Sequence, residues 1–402
     1  MTRAAFQILT VAVLSITAAA QPFHTLLSFN GTDGGYSTAS LIQGSDGSLY
    51  GTASDGGTYN GGTVFRITTS GTLTTLYNFC AQPNCADGTS PWAALALGAD
   101  GNFYGTTVRG GTHNQGTVFK ITPAGALTTL VNFDGAKGEQ PLAGLLLATD
   151  GNFYGVTTFG GVYGEGAVFK LTPSGALKTL YSFCPQQPTC TDGVSPSGTL
   201  VEGRDGSFYG TTQHGGIMQA GGSGTVFKIT RHGALTTLYT FCSQTNCADG
   251  SIPYAGLVEG REGDFYGTTL MGGSMQYYGT AFKISPAGKL TVLHSFCTQQ
   301  NTKYCTDGNL IYAGLIQGTD GNFYGTAYEG GDYGWGALFK ITPSGTLTTL
   351  HSFDHSDGNY PMGAMFQASN GVLYGTTTQG NPTNNGTIYS LTVSASTIFY
   401  PL

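Results

Sequence analysis

The chain has 402 residues, more than one simple core usually supports, so it must either divide into domains or repeat a small unit. Only 9% of residues are charged and 65 are glycine, yet aromatics reach 12%, which excludes disorder and suits many short strands joined by tight turns. A net charge of −7 supplies no basic face for nucleic acid and no polybasic segment for membrane adhesion.

The chain opens on an export signal, expected over residues 1–20. Arg3 is its positive end, Ala4 to Ile16 its short apolar stretch, and Ala18-Ala19-Ala20 a small-residue cleavage site before Gln21. The apolar stretch is too short to serve as a mature anchor, and no other segment reads as transmembrane. The mature chain, residues 21–402, is expected to be a single exported domain, whether extracellular, periplasmic or at the cell surface, and a monomer.

Phe23 to Phe29 is a strand pattern standing alone ahead of the repeats. The repeats are anchored by Asp-Gly-x-Phe/Leu-Tyr-Gly, with seven tyrosines at Tyr50, Tyr104, Tyr154, Tyr209, Tyr266, Tyr324 and Tyr374. Their interval is slightly longer than the roughly 40–50 residues of known propeller blades. The second copy shows the unit. Leu95 to Ala99 is a short apolar run, and Asp100-Gly101 a turn pair suited to a type I′ hairpin. Phe103 to Thr107 is a second strand, followed by Gly110-Gly111 and a longer loop. Val118 to Ile121 is a third strand, Thr122-Pro123-Ala124-Gly125 a tight turn, and Leu127 to Phe133 a fourth strand. The last unit, near Met362 to Thr392, lacks a fourth strand. Phe23 to Phe29 therefore fills that place and closes a ring with no open edge, whereas a solenoid would need polar caps. The C-terminal segment Ser396 to Leu402 is a poorer candidate. The expected fold is all-β: a seven-bladed β-propeller of four antiparallel strands per blade, closed by the N-terminal strand.

In such blades the first-to-second and third-to-fourth turns share one rim. The long, variable loops share the other, where recognition belongs. All eight cysteines lie in fourth-to-first loops, as Cys80/Cys85, Cys184/Cys190, Cys242/Cys247 and Cys297/Cys305. The remaining units lack both members, so local disulfides fit better than a metal site. A recurring Asp in these loops (Asp33, Asp87, Asp192, Asp249, Asp307, Asp357) precedes glycine and reads as turn-forming rather than calcium-binding. The third-strand cation (Arg66, Lys120, Lys170, Lys228, Lys283, Lys340) reads as a solvated or locally paired charge.

The most variable place precedes the Gly-Gly pair: Asp55, Arg109, Phe159, His214, Met271, Glu329 and Gln379. These side chains are expected to ring one mouth and to touch a ligand. A second set enters the first strands from the same rim: Thr38, Trp92, Leu142, Ser197, Tyr254, Tyr312 and Met362. Loop aromatics, Trp335 among them, suit sugar or protein recognition because flat rings offer large contact at low entropic cost. The expected partner is thus an extracellular protein or carbohydrate, with no cofactor and no metal. The alternative is a glycoside hydrolase or polysaccharide lyase using rim carboxylates (Glu329 with Asp332, or Glu165 with Asp55). His113 and His214 are isolated loop histidines.

The unit Asp-Gly-Asn-Phe-Tyr-Gly-Thr-Thr-x-x-Gly-Gly-x4-Gly-Thr-Val-Phe-Lys-Ile-Thr-Pro-x-Gly, as in residues 100–125, resembles the bacterial GloVer tandem repeat. The resemblance covers essentially the whole mature chain. It implies an exported repeat protein of undetermined activity and carries over no catalytic residue. The Gly-Gly also looks like that of kelch blades, whose fourth-strand tryptophan is missing here.

Overall fold

The computed structural model describes residues 22–216, 223–380 and 382–393. The expected export signal, residues 1–20, and the segment Ser396 to Leu402 lie outside them. The described residues form a seven-bladed β-propeller, one antiparallel sheet per repeat, and no helix among them is long and apolar enough to cross a membrane. In blade 2 the strands are Ala96–Leu97, Phe103–Thr107, Thr117–Ile121 and Leu127–Asn132, hydrogen-bonded in chain order. The first strand is shorter than its apolar run. Gly98 already belongs to the turn, and residues 92–94 line the axis.

The Asp-Gly turn is not the expected type I′ form. The Gly98 amide donates to the Asn102 carbonyl, the Gly101 amide donates to that of Gly98, and only Gly101 takes a positive φ, 76°. The aspartate serves as an acceptor instead. Asp100 takes the Asn102 amide at 3.1 Å and the Tyr104 hydroxyl at 2.9 Å, and Lys120 from the third strand lies 3.7 Å away. The third-strand cation is therefore locally paired. The same pairing joins Arg66 to Asp46, Lys170 to Asp150 and Lys228 to Asp205. Blade 5 uses Glu262 for the Tyr266 hydroxyl and Asp264 for Lys283. In blade 7 both charges are gone together: Asn370 donates to the Tyr374 hydroxyl at 3.0 Å, and Ser390 stands opposite Tyr374.

The tyrosine ring lies between blades. Tyr50, Tyr104 and Tyr154 meet Phe103, Phe153 and Phe208 of the next blade at 4.1 Å between ring centroids. Tyr209 and Tyr266 meet Phe265 and Phe323 at 4.0 and 3.9 Å. At the last junctions Leu373 and Leu49 replace the phenylalanine. Each junction is one hydrophobic cluster, and there are seven. An open stack of seven sheets would have only six, so the seventh, joining Tyr374 and Ile388 of blade 7 to Leu41, Leu49 and Phe65 of blade 1, closes the circle. Phe23–Ser28 supplies the fourth strand of blade 7, antiparallel to Thr387–Leu391. A side-chain latch reinforces the closure. Gln43 accepts the Ser369 amide at 2.9 Å, as Gln367 accepts Thr319 at 2.8 Å and Glu202 accepts Thr149 at 2.8 Å.

Removal of residues 22–29 is expected to bare the edge of Thr387–Leu391 and to abolish cooperative melting, read by circular dichroism with light scattering. Tyr154→Phe removes one hydrogen bond and should cost about 1 kcal/mol, whereas Phe153→Ala should cost about 3–5 kcal/mol, both from denaturant melts. Burial alone would raise the turn carboxyls. The hydrogen bonds from turn amides and tyrosines, with the facing cation, outweigh it and hold Asp46, Asp100, Asp150, Asp205 and Asp320 below the usual carboxylate range. A depressed folded pKa stabilises above the unfolded value of about 4 and is lost as pH falls through the folded one. Melting temperature should thus be flat in this respect near neutrality and fall progressively below about pH 4.

Candidate functional site

The long loops gather at the rim opposite the Asp-Gly turns. There the residue before each Gly-Gly pair, or before Gly380-Asn381 in blade 7, forms a backbone bridge to the fourth-to-first loop: Gly35 with Asp55, Thr89 with Arg109, Glu139 with Phe159, Ser251 with Met271, Asn309 with Glu329 and Asn359 with Gln379. In blade 4 the same pairing lengthens into a strand, Val194–Pro196 against Phe208–His214, which gives that blade a fifth strand. The glycine that follows is required by close approach: Gly110 has φ 78°, and a Cβ there would lie 2.7 Å from the Cys85 carbonyl oxygen. One backbone scaffold thus presents seven different side chains. Asp55, Arg109 and Phe159 are exposed, and His214, Met271, Glu329 and Gln379 are half-buried. They share a rim position but do not converge on one cavity. None lines the axial opening, and Glu329 alone lines a cleft beside it.

The axial opening is a cavity of about 310 Å³, lined by the second set: Thr38, Trp92, Leu142, Ser197, Tyr254, Tyr312 and Met362, with small residues beneath. Hydrogen bonds tie neighbouring blades here, from the Thr38 hydroxyl to the Trp92 carbonyl (2.8 Å) and from the Ser197 hydroxyl to that of Tyr254 (2.7 Å). The chain reaches the opening through a strained residue two positions earlier. Tyr36, Ser90, Gln140, Ser195, Ile252, Leu310 and Tyr360 all take left-handed φ between 52° and 56°. This conformation costs a non-glycine residue about 1 kcal/mol and persists because the surroundings hold it. The Ser90 amide donates to Gly61 and the Tyr360 amide to Trp335, both in the preceding blade.

Tyr36 and Tyr360 are functional candidates that sequence reasoning missed, as is Tyr328, beside Glu329. The signal available was their departure from the repeat. At the place of Tyr328 the other blades carry Ser54, Val108, Thr158, Gln213, Leu270 and Thr378. Two of these rings, Tyr328 and Tyr360, join three expected ones in a continuous path across blades 5 to 7. Centroids are 5.3 Å apart for Tyr254–Tyr312, 5.2 Å for Tyr312–Tyr328, 4.8 Å for Tyr328–Tyr360 and 5.6 Å for Tyr360–Trp335. Among the described residues, the hydroxyls of Tyr254, Tyr312, Tyr328 and Tyr360 form no hydrogen bond. Burial raises their pKa values, with added repulsion from Glu329 at Tyr312 and Tyr360; Tyr328 is pushed up to about 12 by burial and by its neighbours Tyr36, Tyr360, Tyr312 and Glu329. The phenols remain protonated donors at neutral pH.

The path ends in a cleft of about 390 Å³ lined by Tyr278, Lys303, Tyr304, Asn309, Glu329, Tyr333, Trp335 and Tyr360. Gly334, at φ 85°, lets the Tyr304 ring lie against the backbone, since a Cβ there would meet that ring at 2.5 Å. Lys303 holds its ammonium 4.7 Å from the Tyr304 centroid, and Asn309 donates to Glu329 at 3.4 Å. The disulfide Cys297–Cys305 ties down this wall, and its sequence separation of 8 exceeds those of Cys80–Cys85, Cys184–Cys190 and Cys242–Cys247. The extra residues supply Lys303 and Tyr304.

The remaining candidates are placed differently. Asp332 lines a separate cavity with His351, Asp354 and Asp357. Asp55 is exposed, and Glu165 bridges Gly160 through its backbone. Among the described residues no group of three metal-ligating side chains forms, and His113 and His214 belong to none. The loop aspartates are buried or half-buried acceptors: Asp87, Asp192 and Asp249 take the hydroxyls of Tyr77, Tyr181 and Tyr239, and Asp307 and Asp357 pair with His294 and His351.

Fold and rims together define a tandem-repeat β-propeller with an aromatic mouth. A family model for the Gloeobacter/Verrucomicrobia repeat matches residues 2–221, 186–311 and 222–401. The chain belongs to that repeat family. No curated protein sequence matches it. Among solved structures it is similar to the extracellular domains of two B. thetaiotaomicron proteins named as hybrid two-component systems. One aligns with a TM-score of 0.59 at 14% identity over 93% of this chain, the other with 0.59 at 10% over 92%. The chain spans about two fifths of each of those chains, 41% and 39%. At such identity the likeness is one of fold.

Replacing Cys297 and Cys305 together by serine should lower stability by about 2–3 kcal/mol on the chain-entropy account. It should also open the Lys303–Tyr304 wall to limited proteolysis while the other loops resist.

Proposed function

We propose that the protein is an exported binding module that takes a glycan along the aromatic path from its axial opening to the Glu329 cleft. The observation that carries this reading is the run of Tyr254, Tyr312, Tyr328, Tyr360 and Trp335, with protonated hydroxyls that form no bond within the described protein. Sugar rings present apolar C–H faces that stack on aromatic rings, while their hydroxyls accept from phenols and donate to carboxylates. Glu329 and Asn309 stand at the cleft end to supply the acceptor and an amide. The four disulfides fit an oxidising compartment, which agrees with an export signal over residues 1–20 and a mature domain of 21–402. A hydrolase would need two carboxylates about 5–10 Å apart across one cleft. Here Glu329 is the sole carboxylate lining the aromatic cleft, so the glycan is expected to leave unaltered.

Calorimetric titration of the mature protein against plant and microbial polysaccharides should find a binder. Tyr312→Ala and Trp335→Ala should each weaken it about tenfold, the effect of losing one stacked ring. Retention of no polysaccharide, or aromatic variants that bind as the wild type, would sink the reading. Release of shortened products would instead favour an enzyme.

A further inference from the structure

We propose that the opposite rim, at the junction of blades 3 and 4, holds a phosphate or sulfate group. That rim is built of repeated tight turns, and the repeat is broken there at three residues that meet. The third-to-fourth turn reads Thr-Pro-Ala/Ser-Gly at residues 122–125, 172–175 and 342–345, but Thr230-Arg231-His232-Gly233 in blade 4. The residue facing the third-strand cation is Thr74, Thr128, Thr236, Thr291 and Thr348 in blades 1, 2, 4, 5 and 6, but Lys178 in blade 3. Lys178, Arg231 and His232 line one cavity of about 470 Å³ with Lys170 and Asp150.

Lys178 stands directly opposite Lys170 in the antiparallel register. Like charges so placed are destabilising, and every other blade avoids them. Local carboxylates are already engaged. Asp150 holds Lys170 at 2.9 Å, and Glu202 pairs with Arg231. Among the described residues Lys178 forms no ion pair, so the cavity keeps an ammonium in excess, with the His232 imidazole beside it. A tetrahedral oxyanion fits this need, because its oxygens accept from ammonium, guanidinium and imidazole donors at once. The site is exposed, so its affinity should fall as salt shortens the Debye length to below about 10 Å.

The test titrates the mature protein with inorganic phosphate and with sulfate at low salt, and repeats it with Lys178→Thr and His232→Ala, which restore residues the repeat itself uses. Arg231 is left in place because it ties Thr149 and Glu202. Lys178→Thr should weaken phosphate at least about tenfold. It should also melt at or above the wild-type temperature, since a like-charge pair is removed. Co-sedimentation with phosphatidic acid vesicles, lost in Lys178→Thr and absent with phosphatidylcholine, would assign the group to a lipid headgroup. Phosphate binding without co-sedimentation would assign it to a soluble ester. Failure of both anions to bind at low salt, or equal binding by wild type and both variants, would overturn the proposal, and neither result bears on the aromatic mouth.

Discussion

The tyrosine between blades is the interaction on which the rest of the molecule depends. Its ring needs an apolar partner, and its hydroxyl needs a polar one. The six-residue anchor answers both needs. The ring stacks on the phenylalanine of the next blade, and the hydroxyl meets the aspartate four residues earlier in its own turn. Because the aspartate is committed to that hydroxyl and to the third-strand cation, the turn, the second strand and the third strand are tied together within each such blade. The coupling is visible where it is relaxed. Blade 7 gives up Asp and Lys together for Asn370 and Ser390, which keeps the pair balanced at no net charge.

This constraint explains what was legible in the sequence. The blade count follows from the tyrosines. The ring closure follows from an unpaired fourth-strand pattern at Phe23 to Phe29, which a seven-junction circle must place beside Thr387–Leu391. The disulfides follow from paired presence and absence of cysteines within one loop type. The axial ring of Thr38, Trp92, Leu142, Ser197, Tyr254, Tyr312 and Met362 was legible as a set because every member holds the same place in its repeat. The turn type was misread because aspartate tolerates left-handed φ, and nothing local shows that its carboxylate is needed elsewhere. The ring around Asp55, Arg109 and Phe159 was placed on the correct rim, but side-chain direction depends on bridges to another loop, which spacing does not reveal.

What stayed hidden has one physical cause: the partners sit in different repeats. Tyr360 turns toward the mouth because it takes left-handed φ itself while its amide donates to the Trp335 carbonyl of the preceding blade. Tyr328 matters only because Tyr312 and Tyr360 flank it. Lys178 and Arg231 are 53 positions apart and become neighbours only when two turns dock across a junction. Net charge, summed over the chain, conceals such a local excess.

A repeat scaffold therefore separates two kinds of information. Positions that recur in every blade are answerable to the junction, where a wrong residue would disturb packing in a closed circle that cannot relax at an open end. Positions free of the junction can differ, and here their differences are not scattered. The continuous aromatic path lies in blades 5 to 7 on one rim, and the cavity that gathers Lys178, Arg231 and His232 lies at the junction of blades 3 and 4 on the other. Free drift on an exposed surface has no reason to place Tyr328 between two rings or Lys178 opposite Lys170, since the second opposes like charges. A local cost such as the Lys178–Lys170 pair, absent from the matching place in blades 1, 2, 4, 5 and 6, is not required by the fold those blades share.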